Sequence, residues 1–253
     1  MNKQPAHLVE MFSSIQGEGI LVGLRQAFLR FHGCSLACDY CDSRNTVYDA
    51  PPDVCRIEKR PGTGEFFLIK NPVSFEQVRA ILEDWLKACP NSHHSISITG
   101  GEPLLHATVL KGWLPSLRRL LPIYLETNGI MHAELSECID SVDYISMDVK
   151  LPSTSGTVGL WKEHLTFMQK ASERNLYVKA VVGPATPTDE IRKTCEIIQA
   201  VDRAIPLVLQ PLTTPQGQVS ISAQSLLEFQ EIASSFLKHV RVIPQTHRFL
   251  NLL

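Results

Sequence analysis

The chain has 253 residues, of which 44% are hydrophobic, and a formal net charge of -2. A chain of this size and composition can bury one full core, so we expect a single domain over residues 1–253. No basic run provides the electrostatic footprint of a nucleic-acid-binding protein. The apolar runs are too short to span a membrane and no signal-peptide core follows the N-terminus, so we expect a cytoplasmic protein with no membrane partner.

The predicted elements begin with a short strand at 7–12 and a buried strand at 26–31, separated by a turn that contains Gly17 and Gly19. Residues 44–72 are polar and rich in Pro and Gly, and only 66–69 is extended in pattern. We interpret 44–72 as an insertion that covers or borders the site. Ser74 and Gln77 then form a capping-box pattern at the start of a helix that Pro90 stops.

Strands and helices alternate in the rest of the chain. The predicted strands are 95–99, 122–126, 143–149, 175–182, 206–210 and 239–243, and the predicted helices are 107–120, 133–139, 159–173, 187–201 and 223–237. We expect Thr186 to cap the helix at 187, with Pro187 at its first position. This rhythm predicts an α/β fold, a partial (βα) barrel of about six or seven parallel strands with its site at their carboxyl ends.

Three of the seven cysteines, Cys34, Cys38 and Cys41, follow the strand at 26–31 directly. Their C-x3-C-x2-C spacing supplies three thiolates to a four-iron cluster and leaves one iron without a protein ligand. The alternative is a structural zinc site with His32 as its fourth ligand. The other cysteines are scattered and the total is odd, which is typical of reduced thiols.

This spacing, with Tyr40 before the third cysteine, resembles the radical S-adenosylmethionine (SAM) enzymes. Other stretches resemble one family within them, the 7-carboxy-7-deazaguanine synthases. These stretches are 12–19 (FSSIQGEG), 28–34 (FLRFHGC), 41–43 (CDS), 98–103 (ITGGEP), 126–129 (ETNG), 148–150 (DVK), 210–211 (QP) and 245–247 (QTH). The resemblance implies conversion of 6-carboxy-5,6,7,8-tetrahydropterin to 7-carboxy-7-deazaguanine with loss of ammonia, using a 4Fe-4S cluster, SAM and Mg²⁺.

The resemblance also assigns residues to SAM. Tyr40, Cys41 and Asp42 are expected along the bound cofactor. Gly101 and Glu102 are expected near its amino group, because glycine permits close backbone approach and a carboxylate accepts from an ammonium. The alternative for these two is an ordinary strand-to-helix turn. Ser146, Asp148 and Lys150 are also expected at SAM, and a solvated salt bridge is the alternative for the last two.

For the substrate, the resemblance points to Ile15, Gln16, Gly17, Arg30, Thr99 and Gln210. An amide and backbone groups can read the donor-acceptor edge of a pterin, and a guanidinium suits its carboxylate. A buried structural ion pair is the alternative role for Arg30, which lies within an apolar strand.

Ser43 occupies the position of a magnesium-ligating hydroxyl that is usually threonine in the family. The change keeps the oxygen that Mg²⁺ requires. The family further implies a flavodoxin-like or ferredoxin-like electron donor and a homodimer.

Two rival functions are a radical SAM activase that acts on a glycine of a partner protein, and a non-catalytic zinc-stabilised binding module. The combined presence of Gln16, Arg30 and Ser43 argues against the activase. The sequence leaves open which pathway uses the product.

Overall fold

The structure is a computed structural model that describes residues 3–41, 43–44, 50–214, 216–250 and 252. Its strands are β1 (Leu8–Ile15), β2 (Arg25–Phe31), β3 (Val54–Glu58), β4 (Phe66–Lys70), β5 (Ser95–Gly100), β6 (Ile123–Thr127), β7 (Tyr144–Val149), β8 (Asn175–Val182), β9 (Leu207–Pro211) and β10 (Val240–Val242). Its α-helices are α1 (Phe75–Ala88), α2 (Ala107–Leu117), α3 (His132–Cys138), α4 (Pro152–Ser155), α5 (Trp161–Ala171), α6 (Thr188–Val201), α7 (Ala223–Phe236) and α8 (Thr246–Leu250). Short 3₁₀ turns occupy Gly19–Leu21, Pro103–His106 and Ile139–Ser141.

The described strands form one sheet in the order β10-β9-β8-β7-β6-β5-β2-β1-β3-β4. Strands β2 and β5 to β10 run parallel to one another. They are joined by helices that bury one face, as in right-handed βα repeats. These seven parallel strands confirm the predicted partial (βα) barrel, whose carboxyl ends meet at one rim.

Helix α1 shows how local sequence sets these elements. The Ser74 hydroxyl accepts a hydrogen bond from the Gln77 amide, and the Gln77 side chain accepts one from the Ser74 amide. This confirms the predicted capping box. The expected cap of α6 is wrong, because Pro187 is extended and is itself the N-cap residue. The Thr186 hydroxyl instead accepts from the Gly183 amide at 3.0 Å.

The segment 44–72 differs from its prediction. Two strands form there, β3 and β4, and β3 was not predicted. They extend the sheet beyond β1, which pairs antiparallel with β2 and parallel with β3. No described residue of 50–72 lines the cavity presented below, so the expectation that this part borders the site is wrong. Residues 45–49 lie outside the described residues.

The turn after β1 reaches into the barrel. Ile20 and Leu21 pack against Tyr124, Tyr177 and Val208 in the barrel interior. Gly19 has a φ of 65°, and a Cβ there would clash with the Tyr177 hydroxyl. Only glycine therefore fits this position, which brings the preceding residues 15–18 into the barrel.

Candidate active site

A cavity of about 260 Å³ lies at the carboxyl ends of the parallel strands. Fifteen of the residues predicted for the site line it: Ile15, Gln16, Gly17, Arg30, Cys34, Cys38, Tyr40, Cys41, Ser43, Thr99, Gly101, Ser146, Asp148, Lys150 and Gln210. Asp42 lies outside the described residues, and Glu102 does not line the cavity. The fold thus brings residues from distant parts of the chain to a single site.

The cysteine loop is held by its main chain. The Asp39 amide donates to the Ser155 carbonyl at 2.9 Å, and the Arg44 guanidinium donates to the Cys38 carbonyl at 2.9 Å. The Cys41 amide donates to the Cys38 carbonyl at 3.1 Å. These bonds leave the three thiols of the loop facing the cavity as free cysteines.

The thiol set fits a four-iron cluster better than a single ion. No three Cys, His, Asp or Glu side chains in the described ranges converge closely enough to hold one metal ion. Each thiolate of an iron-sulfur cluster ligates a different iron, so the three sulfurs need not meet at one point. His32, Cys34, Cys38 and Cys41 are all described, so this geometry gives no support to the alternative Cys₃His zinc site.

Lys150 directly follows β7 beside the loop, and only 11% of its side chain is exposed. Its ammonium lies 2.6 Å from the Asp148 carboxylate and donates to the Tyr40 hydroxyl at 3.0 Å. Burial lowers the pKa of Lys150, but the charge of Asp148 outweighs this effect and keeps the pKa well above its usual value. The salt bridge is therefore largely shielded from solvent, and its contact with the Tyr40 hydroxyl positions the aromatic ring next to Cys41.

A second ion pair joins the turn after β1 to β8 across the cavity. Lys179 of β8 donates to the Glu18 carboxylate, which also accepts from the Gln245 amide at 2.7 Å. Burial raises the pKa of Glu18, but the charge and hydrogen bond of Lys179 prevail and lower it to about 2. Lys179 also lies 3.8 Å from Asp148, which joins the two ion pairs into one network.

Glu126 is a cavity residue whose role sequence reasoning did not identify. Its carboxylate accepts from the Gln16 amide at 2.8 Å and from the Thr99 hydroxyl at 2.8 Å. Gln16 also donates to Gln26, so both of its amide protons are used within the protein. Gln16 and Thr99 thus hold a carboxylate that is itself exposed to the cavity. Glu126 does belong to the stretch 126–129 that resembles the family. Its contact with Gln16, however, joins residues 110 positions apart, which no local pattern reveals.

Arg30 forms the structural ion pair that was the alternative role for it, and it also lines the cavity. Its Nε donates to Glu10 at 2.9 Å, so it forms a structural ion pair on the sheet. Its guanidinium also lines the cavity, 5.6 Å from the centroid of the Phe12 ring, which stacks on Phe28. The Glu10 contact fixes one edge of the guanidinium, and the other edge carries the donors that suit a carboxylate.

The expectation for Glu102 needs correction. Its carboxylate is fully buried and accepts from the Leu104 amide, the Asn128 amide and the Thr127 hydroxyl. Burial raises its pKa to about 7 against these bonds. Glu102 therefore caps the 3₁₀ turn at 103 and ties it to β6, which is the strand-to-helix alternative, rather than facing an ammonium in the cavity.

His164 of α5 connects the ends of two barrel strands and was missed by the sequence. Its Nδ1 lies 3.0 Å from the Gly129 carbonyl, and its Nε2 accepts from the Lys150 amide at 3.1 Å. These contacts require the neutral ring with its proton on Nδ1. Burial favours the same neutral form, because it lowers the pKa of His164 to about 4.

Three buried acceptors in the cavity wall have no protein partner among the described residues. They are Asn128 Oδ1, Asp148 Oδ1 and Gln210 Oε1. Unpaired buried acceptors are costly, so their presence indicates a ligand that brings donors. SAM carries such donors in its ammonium, its ribose hydroxyls and its adenine amino group. The wall therefore fits the cofactor that the thiol loop implies.

None of the described helices combines the length and apolar character that crossing a bilayer requires.

Comparison with known proteins identifies the family of this chain. Residues 28–201 match the model of the radical SAM superfamily. The chain is 51% identical to 7-carboxy-7-deazaguanine synthase of Geobacter sulfurreducens over 100% of both chains. It is 32% identical to the synthase of Thermococcus kodakarensis, over 97% of this chain and 98% of that protein. The fold is similar to the crystal structure of QueE from Escherichia coli, with a TM-score of 0.63, 20% identity and coverage of 95% and 93%. The chain therefore belongs to the radical SAM superfamily and, within it, to the family of 7-carboxy-7-deazaguanine synthases.

Proposed function

We propose that this protein converts 6-carboxy-5,6,7,8-tetrahydropterin to 7-carboxy-7-deazaguanine with release of ammonia. The observation that carries the proposal is the single cavity in which the thiol loop, the Asp148–Lys150 pair, Arg30 and the Gln16–Glu126–Thr99 group meet. The superfamily implies a 4Fe-4S cluster and SAM, for which the thiols and the unpaired acceptors provide partners. When bound, these groups supply one-electron reductive cleavage of SAM and a hydrogen-abstracting radical.

Two groups that line the cavity, Arg30 and Glu126, suit the two polar ends of the pterin. Arg30 binds the carboxylate through the edge of its guanidinium that faces away from Glu10. Glu126 accepts hydrogen bonds from the amino-pyrimidine edge, where the ring offers neighbouring N–H donors. Together these contacts fix the carbon that bears the carboxylate, which is the position where an adjacent nitrogen and carboxyl group stabilise a radical.

Loss of ammonia accounts for the whole difference in composition between substrate and product. No net oxidant or reductant is consumed, so the hydrogen removed at the start can return at the end. The residues of the cavity therefore need to hold the substrate in place through a ring contraction without supplying electrons themselves.

Ser43 supplies an oxygen at the rim beside the cluster loop, and we assign it to Mg²⁺. The ion would be completed by substrate oxygens and water, since Mg²⁺ retains few protein ligands. The proposal also includes a flavodoxin-like or ferredoxin-like electron donor and a homodimer, which rest on the family resemblance, and a cytoplasmic location, which rests on the sequence composition.

The test is an anaerobic assay of the reconstituted protein with the carboxytetrahydropterin, SAM, Mg²⁺ and a one-electron reductant. We expect 7-carboxy-7-deazaguanine and ammonia in equal amounts by mass spectrometry and ammonia assay. Tetrahydropterin without the carboxylate is the matched control, and it should give no product. SAM cleavage without any deazaguanine from the carboxylated substrate would contradict the proposal.

A further inference from the structure

The interior face of β2 carries a buried amide, Gln26, that the proposed reaction does not use directly. Phe28 and Arg30 of the same strand line the cavity. Side chains alternate along a strand, so Gln26 shares the interior face with these two residues. Gln26 is fully buried and does not itself line the cavity. It can therefore affect the site only through a neighbouring side chain.

That neighbour is Gln16. Its Nε2 donates to Gln26 Oε1 at 3.0 Å and to Glu126 Oε1 at 2.8 Å. Its Oε1 accepts from the Glu18 amide at 3.0 Å. One amide nitrogen thus directs one proton to a buried amide and the other to the carboxylate in the cavity.

Gln26 is held in turn by β5. Its Nε2 donates to Ser95 Oγ at 2.9 Å, and Ser95 is its partner in the register of the two strands. Ser95 Oγ also lies 3.1 Å from Nδ1 of His94. An amide side chain has one donor end and one acceptor end. Because the donor end of Gln26 is directed to Ser95, the acceptor end faces Gln16, which must present its nitrogen.

We infer that Gln26 is a positioning residue that fixes which end of the Gln16 amide faces Glu126. If the Gln16 amide turned end for end, its oxygen would face the oxygens of Gln26 and Glu126. Both buried contacts would then lose their donor, which is costly. Glu126 would retain only the hydrogen bond from Thr99. The inference rests on the proposed function, in which Glu126 accepts from the amino-pyrimidine edge, and it adds the residue that orients this contact.

Gln26→Met tests the inference, because methionine has a similar length but offers no amide oxygen. Gln16 would then carry an unpaired buried proton, and its hydrogen bond to Glu126 should weaken. We expect the KM for the pterin to rise about tenfold, the effect of one buried hydrogen bond. The kcat should stay within about twofold of the wild-type value, because the contact serves binding rather than the radical step. Iron content should not change.

Three further variants distinguish positioning from a structural role. Gln26→Glu, assayed at about pH 6, places a neutral buried carboxyl group that accepts from Gln16 and donates to Ser95, so its KM should return close to the wild-type value. Gln26→Met added to Gln16→Met should not raise KM further, because Gln26 acts through Gln16. Ser97→Ala is the matched control. Ser97 lies on the same face of β5 as Ser95 and is fully buried, and its hydroxyl has no hydrogen-bond partner among the described residues, so its KM should not change.

A wild-type KM in folded Gln26→Met would overturn the inference and leave the proposed function standing. A further rise in KM when Gln26→Met is added to Gln16→Met would do the same. If Gln26→Met does not fold, Ser95→Ala gives the test, since it removes the partner of the Gln26 amide and should raise KM about threefold. An unchanged KM there would also overturn the inference. A wild-type protein that forms no deazaguanine would overturn the proposed function, and this inference with it.

Discussion

The cysteine loop and the ends of β6 to β8 line the same cavity but are held in different ways. The loop is fixed by main-chain hydrogen bonds such as that from Asp39 to Ser155, and its thiols face the cavity. The strand ends carry charged side chains that already bind one another, as in Lys150 with Asp148. Changing a loop thiol should therefore remove chemistry with little effect on stability. Changing a group at the strand ends should affect both, because it leaves a buried partner unsatisfied.

The largest effect is expected for Cys38→Ala. Loss of one of three thiolates should prevent assembly of the cluster and abolish cleavage of SAM to 5′-deoxyadenosine. The free energy of unfolding of the metal-free protein should fall by only about 1 kcal/mol. Iron and sulfide analysis with a 5′-deoxyadenosine assay measures both outcomes, and Cys89→Ala, outside the cavity, is the control. Undiminished 5′-deoxyadenosine production after anaerobic reconstitution would show that Cys38 is not a ligand.

Arg30→Lys should come next, with a loss of about a hundredfold in kcat/KM for the pterin. A lysine keeps the charge but lacks the planar donors that can bind Glu10 and a substrate carboxylate together. Glu10→Gln keeps Arg30 and should lower kcat/KM by about tenfold, since it weakens only the contact that fixes one edge of the guanidinium. Equal kcat/KM values for the wild type and Arg30→Lys would show that Arg30 does not bind the substrate carboxylate.

His164 gives the strand ends a pH dependence on the acid side of neutrality. Its pKa is lowered to about 4 in the folded state, so the unfolded chain, with an ordinary pKa of 6.5, binds the proton more readily. Its contribution is fully present above pH 6.5 and is lost as the pH falls toward 4, by about 3 kcal/mol at most. Denaturant unfolding between pH 7.5 and 4.5 should show this slope. It should be shallower in His164→Gln, and identical slopes would contradict the assignment.

Ser43→Ala should have the smallest effect. The magnesium concentration for half-maximal turnover should rise about tenfold, because substrate oxygens and water complete most of the ion's shell. Iron content should not change. Ser43→Thr retains the hydroxyl and should preserve the wild-type magnesium response, which makes it the matched control. An unaltered magnesium dependence in Ser43→Ala would place the ion elsewhere.

The sequence was most informative where a function depends on neighbouring residues. The cysteine loop, the strand ends near Thr99 and the capping box of α1 are continuous patterns, and the structure contains each of them. Strand β3 was missed although Val54 and Arg56 alternate with buried residues, because the flanking prolines and glycines suggested a loop.

The sequence predicted which residues lie at the site better than it predicted which residues contact one another. Glu18 is 161 positions from Lys179, and no local pattern relates them. The register that places Glu10 opposite Arg30 includes an irregularity between Leu8 and Glu10, which simple alternation does not anticipate. Glu102 was assigned to the cavity because its motif ends a strand, but its carboxylate accepts from the Leu104 amide of its own turn and from the Asn128 amide, which directly follows β6.

The central claim is that this cavity holds the substrate carbon that bears the carboxylate next to SAM. Substrate deuterated at that carbon tests it most directly, with SAM recovered after many turnovers and analysed by mass spectrometry. We expect deuterium at the 5′ position of the recovered SAM and far less SAM consumed than product formed. Stoichiometric consumption of SAM, with no label in what remains, would contradict the claim.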